Sequence, residues 1–208
     1  MSQNANPAVR RLGGRVVLAT HNAGKLKEMI DLLAPYGIEV VSSGDLGLPE
    51  PVENGTMFSE NAAIKAHAAA KATGLPAIAD DSGLCIDVLD GAPGLFTADW
   101  CGTPRCYATG IARVKHEIER RKAAAVGAAA RFVSAIVVAW PDGYEELFEG
   151  RVHGTLTFPP RGEAGFGYDP VFVVDGQDLT FAEMTMLQKK AYSHRARAVE
   201  EMIRAVLK

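Results

Sequence analysis

Residues Val16 to Lys25, with the sequence VVLATHNAGK, join a short apolar run to a polar loop that contains glycine and lysine. The apolar run ends at Thr20, and the residues that follow Lys25 (LKEMIDLL) have helical character. A strand that leads through such a loop into a helix gathers backbone N–H groups, a hydroxyl, an amide and an ammonium around one point. This arrangement suits an anion, and phosphate above all. The Walker A pattern is absent, and an ordinary strand–helix turn with an exposed lysine is the alternative.

Two adjacent carboxylates, Asp80 and Asp81, are predicted to stand at the end of a strand, after the apolar run LPAIA and before a serine and a glycine. Neighbouring negative charges repel each other, and Mg²⁺, which prefers carboxylate, water and phosphate oxygens, would remove that penalty. Because adjacent strand residues point to opposite faces, we expect Asp81 to face a cleft and Asp80 to cap or brace the turn. Glu53 is a candidate second ligand. The alternative is an Asx turn with two solvated aspartates.

An aromatic loop, Gly165 to Pro170, precedes a predicted strand at Val171–Val174. Its glycines would let the backbone approach a flat ligand, on which Phe166 could stack as it would on a base. Asp169 could accept a hydrogen bond from that base. The alternative is a tight loop whose aromatic side chains fill the core.

A basic segment near the C-terminus contains two lysines followed by Ser193, His194 and Arg195. Ser193 is predicted to cap the last helix, which would place His194 and Arg195 at the positive helix end, facing an anion or a base carbonyl. A solvated basic helix start is the alternative.

Strand and helix signals alternate along the chain without a repeat, which predicts a mixed α/β fold with a central sheet, two lobes and a cleft. The hairpin signal Pro141-Asp142-Gly143 separates two long strand candidates. Predicted strands or apolar runs cover Val16–Ala19, Ile38–Val41, Leu75–Ala79, Cys85–Leu89, Arg131–Trp140, Tyr144–Val152 and Val171–Val174. Predicted helices cover Lys25–Leu33, Phe58–Thr73 (ended by Gly74), Pro104–Arg121 and Ser193–Leu207.

The composition fits one globular domain, with 208 residues, 48% hydrophobic and 23% charged. A net charge of −3 argues against a long nucleic acid as partner. The apolar run Phe132–Trp140 is too short to span a bilayer, so no membrane partner is expected. The sequence has three cysteines, an odd number, and no C-x-x-C pair, which indicates a protein of the reducing cytoplasm. Residues 1–14 are predicted to be a flexible extension, and residues 15–208 a single two-lobed domain.

Four segments stand in a characteristic order, namely THNAGK (Thr20–Lys25), ADDSGL (Ala79–Leu84), FGYDP (Phe166–Pro170) and SHRA (Ser193–Ala196). Together with ENAAIKA and DGAPG, they resemble the inosine triphosphate pyrophosphatase family from about Val16 to the C-terminus. The resemblance implies an elongated, two-lobed α/β homodimer. It also implies Mg²⁺-dependent hydrolysis of noncanonical purine nucleoside triphosphates to the monophosphate and pyrophosphate.

The resemblance also implies roles for individual residues. The residues implied to hold the triphosphate are Thr20, His21, Asn22, Ala23, Gly24 and Lys25. Asp81 is implied to bind magnesium, with Glu53, and to act as general base. The residues implied to contact the nucleotide or surround its purine are Ser82, Phe166, Gly167, Tyr168, Asp169, Lys190, His194 and Arg195. Asp99 and Gln188 depart from the family pattern, in which arginine and an acidic residue are common.

The sequence leaves two other functions open. A Maf-like pyrophosphatase would act on other bases, and the aromatic loop and Ser-His-Arg segment argue against it. A nucleotide sensor without catalysis would have less need of the Asp80–Asp81 pair.

Overall fold

The computed structural model describes residues 10–207 and confirms the mixed α/β class. One six-stranded sheet runs through the molecule in the order β2-β1-β3-β4-β5-β6. The strands β2, β1 and β3 are parallel, whereas β3, β4, β5 and β6 pair antiparallel. The strands are β1 (Arg15–Leu18), β2 (Glu39–Ser42), β3 (Ala77–Ile86), β4 (Ala129–Ala139), β5 (Glu145–Leu156) and β6 (Phe172–Val174).

Five α-helices of the described chain flank this sheet. They are α1 (Ala23–Leu33), α2 (Phe58–Thr73), α3 (Tyr107–Arg120), α4 (Met186–Tyr192) and α5 (His194–Val206). The predicted bounds of α2 are confirmed, and Gly74 ends it in the left-handed conformation. Ser193 caps α5 as predicted, since its hydroxyl accepts a hydrogen bond from the Ala196 amide at 3.1 Å. The short helix α4 was not predicted.

Helices cover both faces of the sheet around β1 and β3. On one face α2 presents alanines, including Ala62, Ala66 and Ala70, to Val17 and Ala79. Because alanine side chains are short, this helix packs close to the strands. On the opposite face, α1 and α5 pack against the larger side chains of the same strands.

A second hydrophobic core lies at the other end of the long strands β3, β4 and β5. It joins Leu84 and Phe132 to α3, to β6 and to the loop of Tyr168. The chain therefore has two packed regions connected by the long strands, which matches the predicted two-lobed architecture. Side chains in the middle of β3, such as Asp81 and Ser82, line a cleft between them.

The prediction that Asp80 and Asp81 end a strand is wrong. They lie inside β3, which continues to Ile86 and includes the segment predicted as a separate strand from Cys85. The register pairs Asp80 with Ile136 and Asp81 with Ala135 of β4. The backbone of β3 thus stays paired with β4 through both aspartates. Their charges are compensated by side chains that are distant in sequence.

The predicted boundary of the N-terminal extension is also wrong. Residues 1–9 lie outside the described part, but Leu12 is buried against the core beside α5. Its amide donates to the Val206 carbonyl at 2.7 Å. The folded region therefore begins before residue 15. None of the helices between residues 10 and 207 combines the length and apolarity needed to span a bilayer.

Helix α5 crosses β5 in close contact at Gly150. A methyl group added to Gly150 would lie 2.0 Å from the His194 carbonyl oxygen and 2.6 Å from the Ala198 amide nitrogen. Backbone atoms cannot move aside as a flexible side chain can. The absence of a side chain at this position therefore sets the distance between the sheet and the first turn of α5.

We predict that Gly150→Ala lowers the free energy of unfolding by about 1–3 kcal/mol or more, because the helix must shift away from the strand. Gly13→Ala is the matched control, since nothing lies within 4 Å of the added methyl group. Urea unfolding of both variants provides the measurement. Equal stability of the two variants would contradict the close contact.

Candidate active site

A cleft of about 610 Å³ opens between the two packed regions. The loop after β1, the segment from Glu50 to Gly55, α2, the middle of β3 and the aromatic loop all contribute to it. A wider groove of about 930 Å³ lies beyond the aromatic loop, but its lining is mostly apolar, with Lys115, Glu119 and Glu163 as its charged side chains. Since the chemistry-bearing residues converge in the smaller cleft, we place the candidate site there.

The loop from Thr20 to Lys25 is organised by Asn22, which caps α1. The Asn22 side-chain oxygen accepts from the amides of Gly24 at 3.0 Å and Lys25 at 3.1 Å. The Asn22 amide in turn donates to the Thr20 hydroxyl at 3.2 Å. Two of the N–H groups that the sequence offered to an anion are thus occupied by Asn22, and the loop is held rigid at the positive end of α1.

The ammonium of Lys25 binds the buried aspartate of β3. Its Nζ lies 2.9 Å from the Asp80 carboxylate and 4.0 Å from that of Asp81. Burial lowers the pKa of Lys25. The positive charges of Lys65 and Arg195 lower it further, whereas the negative charge of Asp80 raises it. An arriving anion would therefore stabilise the charged form of this lysine.

Asp80 is the centre of a buried network. The Arg195 guanidinium donates to Asp80 at 3.2 Å and to the Ser82 hydroxyl at 2.9 Å, and the Ser134 hydroxyl also donates to Asp80. Burial by itself would raise the pKa of Asp80, but Arg195, Lys25 and Ser134 hold it well below its ordinary value. The carboxylate is thus a permanent counter-charge for two cations, and its predicted role as a turn cap is wrong.

A second carboxylate, Glu28, extends this network toward the aromatic loop. Glu28 accepts from Arg195 and, at 2.6 Å, from Lys189, which lies 2.7 Å from Asp169. Burial would raise the pKa of Glu28, but Arg195 and Lys189 outweigh it and lower the pKa. The charges therefore alternate from the β1 loop, through α1, to the residues predicted to surround a base.

Asp81 points to the other side of β3 and faces the cleft. Its carboxylate accepts from the Asn61 amide at 3.3 Å and from the Ser82 backbone amide at 3.1 Å. The Lys65 ammonium lies 3.6 Å from Asp81 and 3.0 Å from Glu53. Lys65 therefore stands between the two carboxylates that were predicted to bind magnesium.

The two predicted metal ligands fit a magnesium ion by donor chemistry. Mg²⁺ is commonly held by one or two carboxylates, with substrate phosphates and water completing its coordination. Asp81 and Glu53 both line the cleft and both contact the same ammonium. Within residues 10–207 no group of three or more His, Cys, Asp or Glu side chains converges as a metal site.

His194 lies at the far end of the cleft. The His194 ring stacks on Phe132 with a centroid distance of 4.9 Å, and burial lowers its pKa well below the ordinary value. The His194 Nδ1 and Arg195 Nε atoms are buried, with no hydrogen-bond partner among the described residues. Phe166 packs against Gly24, where an added methyl group would lie 2.8 Å from its ring.

The structure brings most of the predicted site residues to this cleft. Those that line it are Thr20, His21, Asn22, Lys25, Glu53, Asp81, Ser82, Phe166, Gly167, Tyr168, Asp169, His194 and Arg195. Ala23 and Gly24 do not line it, although Gly24 contacts Phe166.

The assignment of Lys190 to the cleft is wrong. Lys190 is exposed, whereas the neighbouring Lys189 is buried and lines the cleft. The cause is the phase of helix α4, since consecutive helical residues point about 100° apart. Arg195 lines the cleft as predicted, but its terminal nitrogens bind Glu28, Asp80 and Ser82. This leaves Nε as its unpartnered donor.

The two departures from the family pattern differ in location. Asp99 lines the cleft. Gln188 lies on the exposed side of α4, where its side-chain oxygen accepts from the Thr185 amide at 2.9 Å and completes a capping box. A local structural role thus accounts for Gln188.

Sequence reasoning missed Glu28, Asn61, Lys65 and Lys189. A signal existed for two of them, because Asn61 and Lys65 interrupt the alanine face of α2 four residues apart. Polar residues on a face that packs against a sheet are expensive to bury and need partners. Their positions therefore pointed to a polar site beneath that helix.

The chain is similar to known proteins along nearly its whole length. A family model, described as the Ham1 family, matches residues 16–205. A Rhodopseudomonas palustris protein named dITP/XTP pyrophosphatase is 55% identical over 197 residues, which are 91% of this chain and 94% of that protein. A Zymomonas mobilis protein of the same name is 51% identical over 195 residues, covering 94% of this chain and 93% of that protein.

Solved structures are similar as well. A Ham1 protein from Coxiella burnetii superposes with a TM-score of 0.82 at 38% identity, covering 91% of this chain and 96% of that one. A structure from Mycobacterium abscessus, titled nucleoside-triphosphatase / dITP/XTP pyrophosphatase, gives a TM-score of 0.71 at 39% identity. It covers 91% of this chain and 98% of that one.

We predict that Asp80→Asn lowers the free energy of unfolding by about 3–5 kcal/mol at pH 7, because it leaves Arg195 and Lys25 buried without their counter-charge. The folded-state pKa of Asp80 is depressed, so its contribution is present above the unfolded pKa of about 3.9 and is lost as the pH falls below it. The stability difference between wild type and variant should therefore shrink toward pH 3.

Urea unfolding at pH 7, 5 and 3 measures this difference. Asp87→Asn is the control, since Asp87 pairs with Arg131 at an exposed position and its loss should cost less than about 1 kcal/mol. A constant wild-type–variant difference across this pH range would contradict the role of Asp80.

Proposed function

The chain belongs to the Ham1 family, and from that premise we propose that it hydrolyses inosine, deoxyinosine and xanthosine triphosphates to the monophosphate and pyrophosphate. Its removal of these nucleotides would cleanse the nucleotide pool. Relatives named dITP/XTP pyrophosphatase exceed 50% identity over about nine-tenths of the chain. The observation that carries the proposal is a half-buried carboxylate, Asp81, that faces a cleft with Lys25 and Lys65 beside it.

The triphosphate tail is proposed to lie along the loop Thr20–Lys25. Support comes from the positive end of α1, the Thr20 hydroxyl and the Lys25 ammonium, which meet at this side of the cleft. Such groups stabilise phosphate oxygens because their dipoles and charges are fixed before the substrate arrives. Lys65 would add a second positive charge near the same oxygens.

Magnesium is proposed to bind at Asp81 and Glu53. When bound, the ion would neutralise charge on the phosphate oxygens and help to orient them. The carboxylates' present neighbour, Lys65, is itself a cation, so the site already accommodates positive charge between them.

Asp81 is proposed to act as the general base. A water molecule that attacks the α-phosphorus forms a new P–O bond and gives its proton to Asp81, while the bond to the bridging α–β oxygen breaks and pyrophosphate leaves. Phosphoryl transfer of this kind depends mainly on positioning and charge neutralisation. In the cleft, the Asp81 carboxylate accepts hydrogen bonds from the Ser82 backbone amide and the Asn61 side chain.

The purine is proposed to lie at the aromatic end, against Phe166. The unpartnered atoms His194 Nδ1 and Arg195 Nε offer hydrogen-bonding capacity to a 6-oxo purine. The neutral His194 ring can donate or accept there, whereas Arg195 can only donate. An amino group in place of the 6-oxo oxygen would leave Arg195 Nε a buried donor without a partner. Such a donor costs free energy, so the site would reject a 6-amino purine.

From the resemblance alone we further propose that the protein is a homodimer and works in the cytoplasm. Light scattering of the purified protein tests the oligomeric state, since a monomer mass would contradict it.

We predict that Asp81→Asn lowers turnover of inosine triphosphate by about 10²–10⁴-fold, the usual contribution of a positioned base. Asp31→Asn, at an exposed position of α1, is the matched control and should retain wild-type turnover. Pyrophosphate release is measured over a panel of purine and pyrimidine triphosphates, with and without chelator. The proposal fails if wild type prefers ATP or pyrimidine substrates, or if Asp81→Asn stays active.

Adjacent lysines on α4 provide a second test. Lys189→Met should lower kcat/KM for inosine triphosphate by about tenfold or more, because it removes the cation between Glu28 and Asp169. Lys190→Met should stay within about twofold of wild type, since Lys190 is exposed. Steady-state kinetics of both variants decide, and a larger loss for Lys190→Met would reverse the assignment.

A further inference from the structure

Asn61 forms two hydrogen bonds in opposite directions from its buried position in the first turn of α2. Its side-chain oxygen accepts from the Gly55 amide at 2.9 Å. Its side-chain nitrogen donates to the Asp81 carboxylate at 3.3 Å. The Gly55 amide is a donor only, so the oxygen of Asn61 must face it and the NH₂ group must face Asp81.

The two oxygens of Asp81 thus have different partners. Oδ1 accepts from the Ser82 amide and faces Lys65, whereas Oδ2 accepts from Asn61. Among the described residues, Asn61 is the hydrogen-bond donor to Oδ2. Without it the carboxylate could rotate about its terminal bond, because such torsions are broad and shallow.

Lys65 repeats the same pattern one helical turn later. Asn61 contacts Asp81 and the Gly55 amide, and Lys65 contacts Asp81 and Glu53. Residues four apart share one face of a helix, so α2 holds the segment that carries Glu53 and the middle of β3 together by two side chains. Of these, Asn61 is the uncharged one and adds no attraction for phosphate.

We infer that Asn61 is a positioning residue that fixes the orientation of the Asp81 carboxylate and its distance from the Glu53 segment. This inference rests on the proposed function, in which Asp81 is the base. It predicts an effect on turnover that is separate from nucleotide binding, because the triphosphate loop and the aromatic end do not contact Asn61 in the hydrogen-bond network.

The test is Asn61→Asp, which keeps the acceptor for the Gly55 amide and the side-chain size but replaces the donor facing Asp81 by an oxygen. We expect kcat for inosine triphosphate to fall about 10–100-fold, the usual loss when a supporting hydrogen bond is removed. The Kd of an α,β-methylene inosine triphosphate analogue, measured by calorimetry, should change less than about threefold.

Asn54→Asp is the matched control. It introduces the same charge on the neighbouring segment that carries Glu53, at an exposed position that does not line the cleft. It should keep kcat within about twofold of wild type. An equal loss of kcat in Asn54→Asp would show a general charge effect and overturn the inference. A parallel weakening of analogue binding by Asn61→Asp would indicate a merely structural role and overturn it as well.

A swapped pair tests the contact without catalysis. In Asn61→Asp/Asp81→Asn the donor and acceptor exchange places, so the Tm measured in chelator should rise by several degrees above that of Asn61→Asp alone. No recovery would overturn the contact. Suppose that wild type hydrolyses inosine triphosphate, that Asp81→Asn does not, and that Asn61→Asp has the kcat of wild type. The inference about Asn61 then fails, while the proposed function stands. If wild type releases no pyrophosphate from any triphosphate, the proposed function fails and the inference fails with it.

Discussion

The ion pair between Asp80 and Arg195 is the interaction on which the site depends. Both side chains are 2% exposed, and a charge so deeply buried is tolerated only with a partner and further hydrogen bonds. Arg195 stands in the first turn of α5, Asp80 in the middle of β3, and Lys25 of α1 completes the group. Three elements are therefore fixed relative to one another by one carboxylate. Because Asp81 is the next residue of the same fixed strand, its side chain points to the opposite face and into the cleft.

The sheet explains why the cleft lies where it does. β1 is four residues long, and on its β3 side it reaches only the first part of that strand, whereas β4 pairs with β3 to its end. Beyond Leu18 the edge of β3 is free to receive the loop that carries Lys25. The parallel half of the sheet thus ends where the polar residues of β3 begin, and the second hydrophobic core closes the space from the other side.

Elements with a strong local pattern could be predicted from the sequence. The alanine-rich helix α2, the hairpin of β4 and β5, and the serine cap of α5 have periodic or capping signals confined to a short window, and all three were predicted. The polar strand β3 had no such signal, because its continuation through Asp80 depends on an arginine 115 positions away. The choice between Lys189 and Lys190 depended on the phase of a seven-residue helix, for which the sequence offers too few turns. Four short motifs in order located most of the cleft, whereas Glu28 became visible only through its partners Lys189 and Arg195.

Helix α1 carries Lys25 at its start and Glu28 three residues later, so one rigid turn serves opposite ends of the cleft. The lysine belongs to the side proposed for the tail of the nucleotide, and the glutamate anchors Lys189 and Arg195 on the side proposed for the ring. Any displacement of that turn moves Lys25 and Glu28 together, and with them the contacts at both ends of the cleft. Across natural variation in this helix, base preference and tail affinity should therefore evolve as one linked trait, with no independent adjustment of either.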